Sequence, residues 1–372
     1  MRKNNVSRLQ LPDFPLWKKM DGKNILIDME LEITARCNNN CRHCYINLPA
    51  GDRKAMGREL KASEITGIAL EGVKMGAMSC LITGGEPLLR KDFPEIYLSL
   101  KKMGLLVSVF TNAVLVEKEH VDLFCNYPPR DIEVSVYGAT RETYEKVTRK
   151  PGSFDSFTRG LKMLLDNGIK VRFKAVAMRS NLHEMPLIAA FCRERTKDYF
   201  RFDPMLNLRF DGNRVRNREI MEERLLPEEI AELEKSDPER IGSLKKDCEM
   251  LITKTAPENT GKLIFGCGAG KGACTVGWDG TFRLCSSLCH PDCIYNLKQG
   301  SLGDAYKNFV PRVRRMASEN REFLENCGRC RIVNLCMWCP AVSYLETGKL
   351  DEPVDYFCRI AGAREEMLKQ DL

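Results

Sequence analysis

The chain has 372 residues, 43% of them hydrophobic and 29% charged, the balance of an ordinary globular protein with length for two or three domains. Lys and Arg outnumber Asp and Glu 58 to 51, a mild net charge of +7 with no basic block, so nucleic acid is not an expected partner. There is no uncharged apolar run of about 18 residues to cross a membrane. The opening MRKNNVSRLQLPDF also lacks the apolar stretch of a secretory signal, and a cytoplasmic location is expected.

In chain order, residues 1–24 read as an N-terminal extension and 25–215 as an alternation of strands and helices. Strands are expected at Ile27–Ile33, Ser79–Thr83, Leu105–Thr111, Asp131–Val136, Lys170–Ala177 and Tyr199–Met205, each short and rich in Val, Ile, Leu or Phe. Helical faces lie between them, one marked by Ile65, Ile68, Ala69 and Val73 before Gly76, another by Phe157, Leu161, Leu164 and Leu165 before Gly168. Such alternation predicts an α/β fold, a parallel sheet in a partial (β/α)6 TIM-like barrel, with its active site at the carboxyl ends of the strands. Residues 216–262 are charged and helix-prone and read as a solvated helical linker without chemistry. A small Cys-rich domain is expected over 263–360, opening with a β-hairpin that turns at Asp279-Gly280, and a tail over 361–372.

Cysteine is the outlier: 17 against 4 histidines, an odd number with no signal peptide, which argues against a disulfide framework and for thiolate-held metal. Cys37-x3-Cys41-x2-Cys44 follows the first expected strand. Three thiolates on one loop leave one iron of a 4Fe–4S cube open to a ligand; zinc is the plainer alternative. This motif, at the start of a β/α series, resembles the radical S-adenosylmethionine (SAM) superfamily. The resemblance implies that Cys37, Cys41 and Cys44 bind three irons, and that the fourth iron chelates S-adenosylmethionine and cleaves it to a 5′-deoxyadenosyl radical. His43 stands where that family often has an aromatic residue and is placed near adenine.

The second strand ends in Thr83-Gly84-Gly85-Glu86-Pro87. Alone, two glycines at a strand end mean a tight turn. After the cysteine trio the segment resembles the family's GGE motif, with glycines that let backbone approach the cofactor and Glu86 accepting from its ammonium group. Thr111, Asn112 and Ser135, and Lys174, Arg179 and Asn181 after the fifth strand, resemble positions that contact the cofactor's ribose or carboxylate. Arg201 and Asp203 flank the sixth strand at the same mouth.

In the second region Cys267 precedes Gly280 and Cys285, and Cys327-x2-Cys330-x5-Cys336-x2-Cys339 precedes Cys358. The paired cysteines 327, 330, 336 and 339 alone would suit one zinc, but the others leave too many ligands. The arrangement resembles the SPASM extension of radical SAM enzymes, which holds two auxiliary 4Fe–4S clusters. The resemblance assigns Cys267, Cys285 and Cys339 to the first, with Cys274 as its fourth ligand, and Cys327, Cys330, Cys336 and Cys358 to the second. Two residues rather than the usual three precede Cys339. Cys80, Cys125 and Cys192 read as small packed hydrophobes. Cys289 and Cys293, near the first cluster, read as structural thiols, with a substitute ligand as the alternative.

These resemblances imply an enzyme that abstracts hydrogen from a peptide or protein side chain, with crosslinking of a ribosomally made peptide as the leading product class. They also imply a reductant such as flavodoxin or ferredoxin. Only about 25 residues precede the first strand, so either a leader peptide is expected to need a standalone recognition partner or the substrate is not leader-dependent. Formylglycine formation in sulfatases is the runner-up; those enzymes carry an Asp base after the Cys285 equivalent, where this chain has Ser286. A non-catalytic iron–sulfur electron carrier is the alternative of another class, and it needs neither an open iron nor Glu86.

Overall fold

A computed structural model describes residues 25–198, 200–246, 252 and 262–370. Six parallel strands, β1 (Asp28–Thr34), β2 (Ser79–Gly84), β3 (Leu106–Thr111), β4 (Asp131–Val136), β5 (Val171–Val176) and β6 (Arg201–Asp203), lie side by side in sequence order. Helices α1 (Ala62–Lys74), α2 (Phe93–Lys102), α3 (Lys118–Asn126), α4 (Arg141–Thr148), α5 (Ser153–Asp166) and α6 (Met185–Arg193) fall between them. The expected series is therefore present, with bounds shifted by a residue or two. The sixth strand is shorter than expected, because Asp203 accepts the Met205 amide (3.0 Å) and turns the chain; Tyr199 lies outside the described residues.

Period-two alternation sets the two faces of β1. Met29, Leu31 and Ile33 are buried in the main apolar core with Ile65 and Ala69 of α1, while Glu30, Glu32 and Thr34 point to the other side. The core is dense in aromatic rings, among them Phe93, Tyr97, Phe124, Tyr144 and Phe157, all fully buried. Burying a ring of that size contributes about 2–3 kcal/mol.

The Cys-rich region does not begin as a separate body. Its strand β7 (Ala273–Val276) pairs parallel with β1, and β8 (Thr281–Arg283) and β9 (Ile294–Asn296) continue antiparallel, giving a nine-stranded sheet in the order β9-β8-β7-β1-β2-β3-β4-β5-β6. The expected Asp-Gly turn joins β7 to β8: Gly280 takes the left-handed φ of 89° and Gly277 N–H donates to Thr281 (2.7 Å).

The charged linker needs correction. It forms α7 (Arg214–Glu223), α8 (Pro227–Ser236) and α9 (Pro238–Lys246), but Glu223, Glu234 and Asp237 are buried rather than solvated. Glu223 accepts from Ser180 N–H and Oγ (2.8 and 2.7 Å) and pairs with Arg42 of the cysteine loop. Glu234 holds Arg364 with two bonds of 2.8 Å. Of the residues expected as a C-terminal tail, 361–370 are the second half of α11 (Asp355–Gln370), which follows α10 (Pro340–Thr347) and packs on α8. The expected extension 1–24 and Cys248 lie outside the described residues. Among the described residues no helix is long and apolar enough to cross a membrane.

Glu234 is fully buried and Arg364 nearly so, and removing one partner leaves an uncompensated charge in the interior. Glu234→Ala is expected to lower stability by about 3–5 kcal/mol, read by urea denaturation.

Candidate active site

The chain leaves β1 at Thr34 and enters the cysteine loop, while β2 ends beside it at Gly84-Gly85. The two exits touch: Gly85 N–H donates to Thr34 (2.7 Å) and Glu86 N–H to Arg36 (2.9 Å). A Cβ on Gly84, whose φ is 125°, would stand 2.1 Å from the Thr34 carbonyl, and one on Gly85 would stand 2.2 Å from that of Arg36. The glycines are thus required by the backbone of the cysteine loop itself.

Glu86 is fully buried. Its Oε1 accepts from Leu88 N–H (3.1 Å) and Thr111 Oγ1 (2.8 Å), and its Oε2 from Asn112 N–H (2.8 Å). Burial pushes its carboxyl up to about 7 against these three donors. The carboxylate therefore fastens the end of β3 to the end of β2. Asn112 completes the circuit: its Nδ2 donates to Asn38 Oδ1 (2.9 Å) and approaches Cys37 Sγ (3.7 Å).

The loop is pinned from other elements as well. Asn40 and Arg42 N–H donate to Thr148 and Val147 at the end of α4 (2.9 and 3.0 Å). Arg216 of α7 reaches the Cys41 carbonyl (2.8 Å), and Arg209 reaches Cys44 and Asn47 (3.2 and 2.9 Å). Nothing in the sequence singled out these arginines, since each contact spans more than 160 positions.

Cys37, Cys41 and Cys44 line one cavity of about 200 Å³. Of the other expected contacts, Gly84, Gly85, Thr111, Asn112, Ser135 and Lys174 line it, as does His43, with Asp203 across from them. Glu86 and Pro87 lie behind its wall. Arg179 is turned to Glu229 (2.5 and 2.6 Å), and Asn181, fully buried, accepts from Met178 N–H and donates to Tyr137 and Val176 carbonyls. Both are corrected to supports outside the cavity. Arg201 pairs with Glu133 (2.9 Å). Tyr137, which the sequence did not flag, lines the cavity with its ring 5.2 Å from that of His43. Burial lowers His43 to about 4, so its ring is neutral near pH 7.

The site carries unmet bonding capacity. The side-chain Nδ2 and Oδ1 of Asn39 and Nδ1 of His43 are buried without a partner, and both residues line the cavity. Burial, joined by Glu86 and the Cys44 thiol, raises the Cys37 thiol; burial and its two fellow thiols raise Cys41. Bound iron reverses that cost, because coordination deprotonates the thiol. The donor set and the unpartnered atoms fit an iron–sulfur cluster carrying a polar ligand.

The second cysteine region divides into two groups. Burial leads in raising Cys327 to about 12 and Cys336 to about 11, followed for Cys327 by Cys358, Cys336 and Cys330, so these four thiols are neighbours. Cys285 is raised to about 11, again by burial first, with Cys339 and Cys267 among its neighbours. Cys274 is elsewhere: it sits on β7 opposite Met29, beside Tyr306 and Cys80. Cys80 and Cys192 are buried as expected, whereas Cys125 is exposed rather than packed.

Glu86→Ala would leave three buried donors without their acceptor, at about 1–3 kcal/mol each. A loss of roughly 3 kcal/mol or more is expected in chemical denaturation, with Glu86→Gln milder because it retains an acceptor oxygen.

Residues 31–192 match the Radical SAM superfamily. The chain is 25% identical over 350 residues to the Fe-coproporphyrin III synthase of Methanosarcina barkeri, covering 88% of this chain and 85% of that protein. It is 32% identical over 168 residues to a probable GTP 3′,8-cyclase of Methanococcus maripaludis, a match covering 44% of this chain and about half (54%) of the cyclase. Among solved structures, Streptococcus suis SuiB bound to S-adenosylmethionine aligns with a TM-score of 0.67 at 16% identity, over 96% of this chain and 83% of that one. The structure of anSMEcpe with bound AdoMet aligns at 0.65 and 13% identity, over 93% and 94%. At such identities these two likenesses speak for the fold. The family match starts within β1 and ends in α6, taking in the cysteine loop and most of the cavity wall, so this part of the chain is a radical SAM domain.

Proposed function

We propose that this radical SAM enzyme carries a SPASM-type extension with two auxiliary 4Fe–4S clusters and acts on a C–H bond of a peptide or protein side chain. The observation that carries the reading is the division of the second-region thiols into two groups, Cys267, Cys285 and Cys339 in one and Cys327, Cys330, Cys336 and Cys358 in the other. Bound at Cys37, Cys41 and Cys44, an iron–sulfur cluster with S-adenosylmethionine supplies a 5′-deoxyadenosyl radical as hydrogen abstractor.

The chain's own residues bind and shield. Gly84 and Gly85 present backbone to the cavity, Thr111, Asn112 and Ser135 present hydrogen-bonding groups, and His43 and Tyr137 present neutral ring faces. Lys174 brings a cation suited to a carboxylate. A second cavity of about 260 Å³ shares Tyr45 and Ile46 with the first and opens toward Trp278, Arg283 and Cys289. A substrate side chain seated there lies beside the cavity that the cysteine trio lines.

The peptide reading draws on similarly folded structures solved with peptides: SuiB bound to precursor peptide SuiA (TM-score 0.68) and anSMEcpe with Kp18Cys peptide (0.65). Crosslinking remains the favoured product class, with flavodoxin or ferredoxin as reductant. Formylglycine formation is disfavoured, since Ser286 follows Cys285 and the Asp292 carboxylate is 68% exposed on the surface. A second reading, a porphyrin side chain as substrate, is favoured by two relatives matched over most of their length: the Fe-coproporphyrin III synthase and an AdoMet-dependent heme synthase, the latter 25% identical over 356 residues.

The reconstituted chain is expected to hold about 12 irons; about four, or zinc in the second region, would refute the auxiliary clusters. Changing Cys37, Cys41 and Cys44 together to Ala is expected to remove roughly four irons and abolish 5′-deoxyadenosine formation. Substrate class is read by mass spectrometry of candidate Cys- or aromatic-rich peptides after reaction, beside Fe-coproporphyrin III. Modification of the porphyrin alone would replace the peptide reading by the second one.

A further inference from the structure

We infer that Cys289, rather than Cys274, completes the thiol set of Cys267, Cys285 and Cys339. The inference rests on the auxiliary-cluster reading above.

Two backbone contacts build the group. Gly270, at a left-handed φ of 74°, donates its N–H to the Leu284 carbonyl (3.1 Å), laying the loop after Cys267 against the residue before Cys285. Leu288 N–H then donates to the Cys285 carbonyl (3.2 Å), and this turn brings the chain back so that Cys289 neighbours Cys285. Tyr344 of α10, the helix that starts just after Cys339, lies beside Cys289, and its ring stacks edge-on with His290 at 4.6 Å. Cys289 is half-buried and lines the second cavity next to Arg283, whose guanidinium offsets thiolate charge.

Cys274 is held on the wrong face. It is in register with Met29 across the parallel β7–β1 pair, and register partners share a face of the sheet. Met29 points to the helix-covered side, where its sulfur packs on Gly72 of α1. Glu32 and Arg283, which pair with each other, occupy the opposite side with Cys289. Bringing Cys274 to Cys285 would require β7 to leave the sheet. Cys293 is fully buried with its Sγ 3.9 Å from Met316 Sδ, committed to packing.

The test uses the full chain after anaerobic reconstitution, with iron content and the EPR spectrum of the reduced auxiliary clusters as readouts. Cys289→Ala and Cys289→Ser are expected to lose about one to four irons and to change that spectrum, while S-adenosylmethionine binding is retained. Cys274→Val, which keeps an apolar side chain in the core, is expected to match the parent in both. Unchanged iron and spectrum in the Cys289 variants, loss of S-adenosylmethionine binding along with the iron, or a changed spectrum in Cys274→Val overturns the inference. A parent chain holding only about four irons would instead refute the auxiliary-cluster reading itself.

Discussion

The backbone contact between the exits of β1 and β2 governs the site. Gly85 and Glu86 donate to Thr34 and Arg36 across a gap that admits no Cβ, so the strand carrying the glycines and the loop carrying the cysteines are locked together. From that lock, the Glu86 carboxylate reaches sideways to Thr111 and Asn112, and Asn112 reaches back to Asn38 and the Cys37 sulfur. The cavity wall is thus one closed hydrogen-bonded circuit through three strand ends. Such a circuit holds polar backbone in place while thiols of the same loop stay available to metal.

Charge buried between distant segments does the remaining positioning. Arg42 meets Glu223, Arg283 meets Glu32 and Arg364 meets Glu234, each pair joining residues more than 120 positions apart. Desolvation makes such pairs weak contributors to net stability, yet removing one member is costly, so they favour a single arrangement of the segments they join. The Glu32–Arg283 pair sets β8 against the interior side of β1, and with it the turn that bears Cys285 and Cys289. The structure thereby couples the cysteine-rich region to the strand that launches the active-site loop.

The sequence by itself determined the local order. Six β/α units, the cysteine trio after β1, the Gly-Gly-Glu at the end of β2 and the Asp279-Gly280 hairpin were legible because each depends on neighbours a few positions away, through apolar periodicity, thiol spacing or turn chemistry. The sequence singled out Glu86 for a cofactor contact, but not its partners in the fold, because they come from the next strand and the pairing of strands is a tertiary fact.

What only the tertiary structure decided is which face and which neighbour each residue meets. A cysteine count cannot tell that register with Met29 turns Cys274 into the helix-covered core, or that a turn brings Cys289 back to Cys285. A charge run cannot tell that Glu223 and Glu234 will be taken out of water, since their burial depends on arginines far along the chain. Arg179 and Asn181 follow a strand end as cavity residues do, yet one turns to Glu229 and the other into backbone carbonyls. Spacing along the chain fixes which groups are available together; direction in space, set by strand pairing and by the cost of burying unpaired charge, fixes which of them share a site.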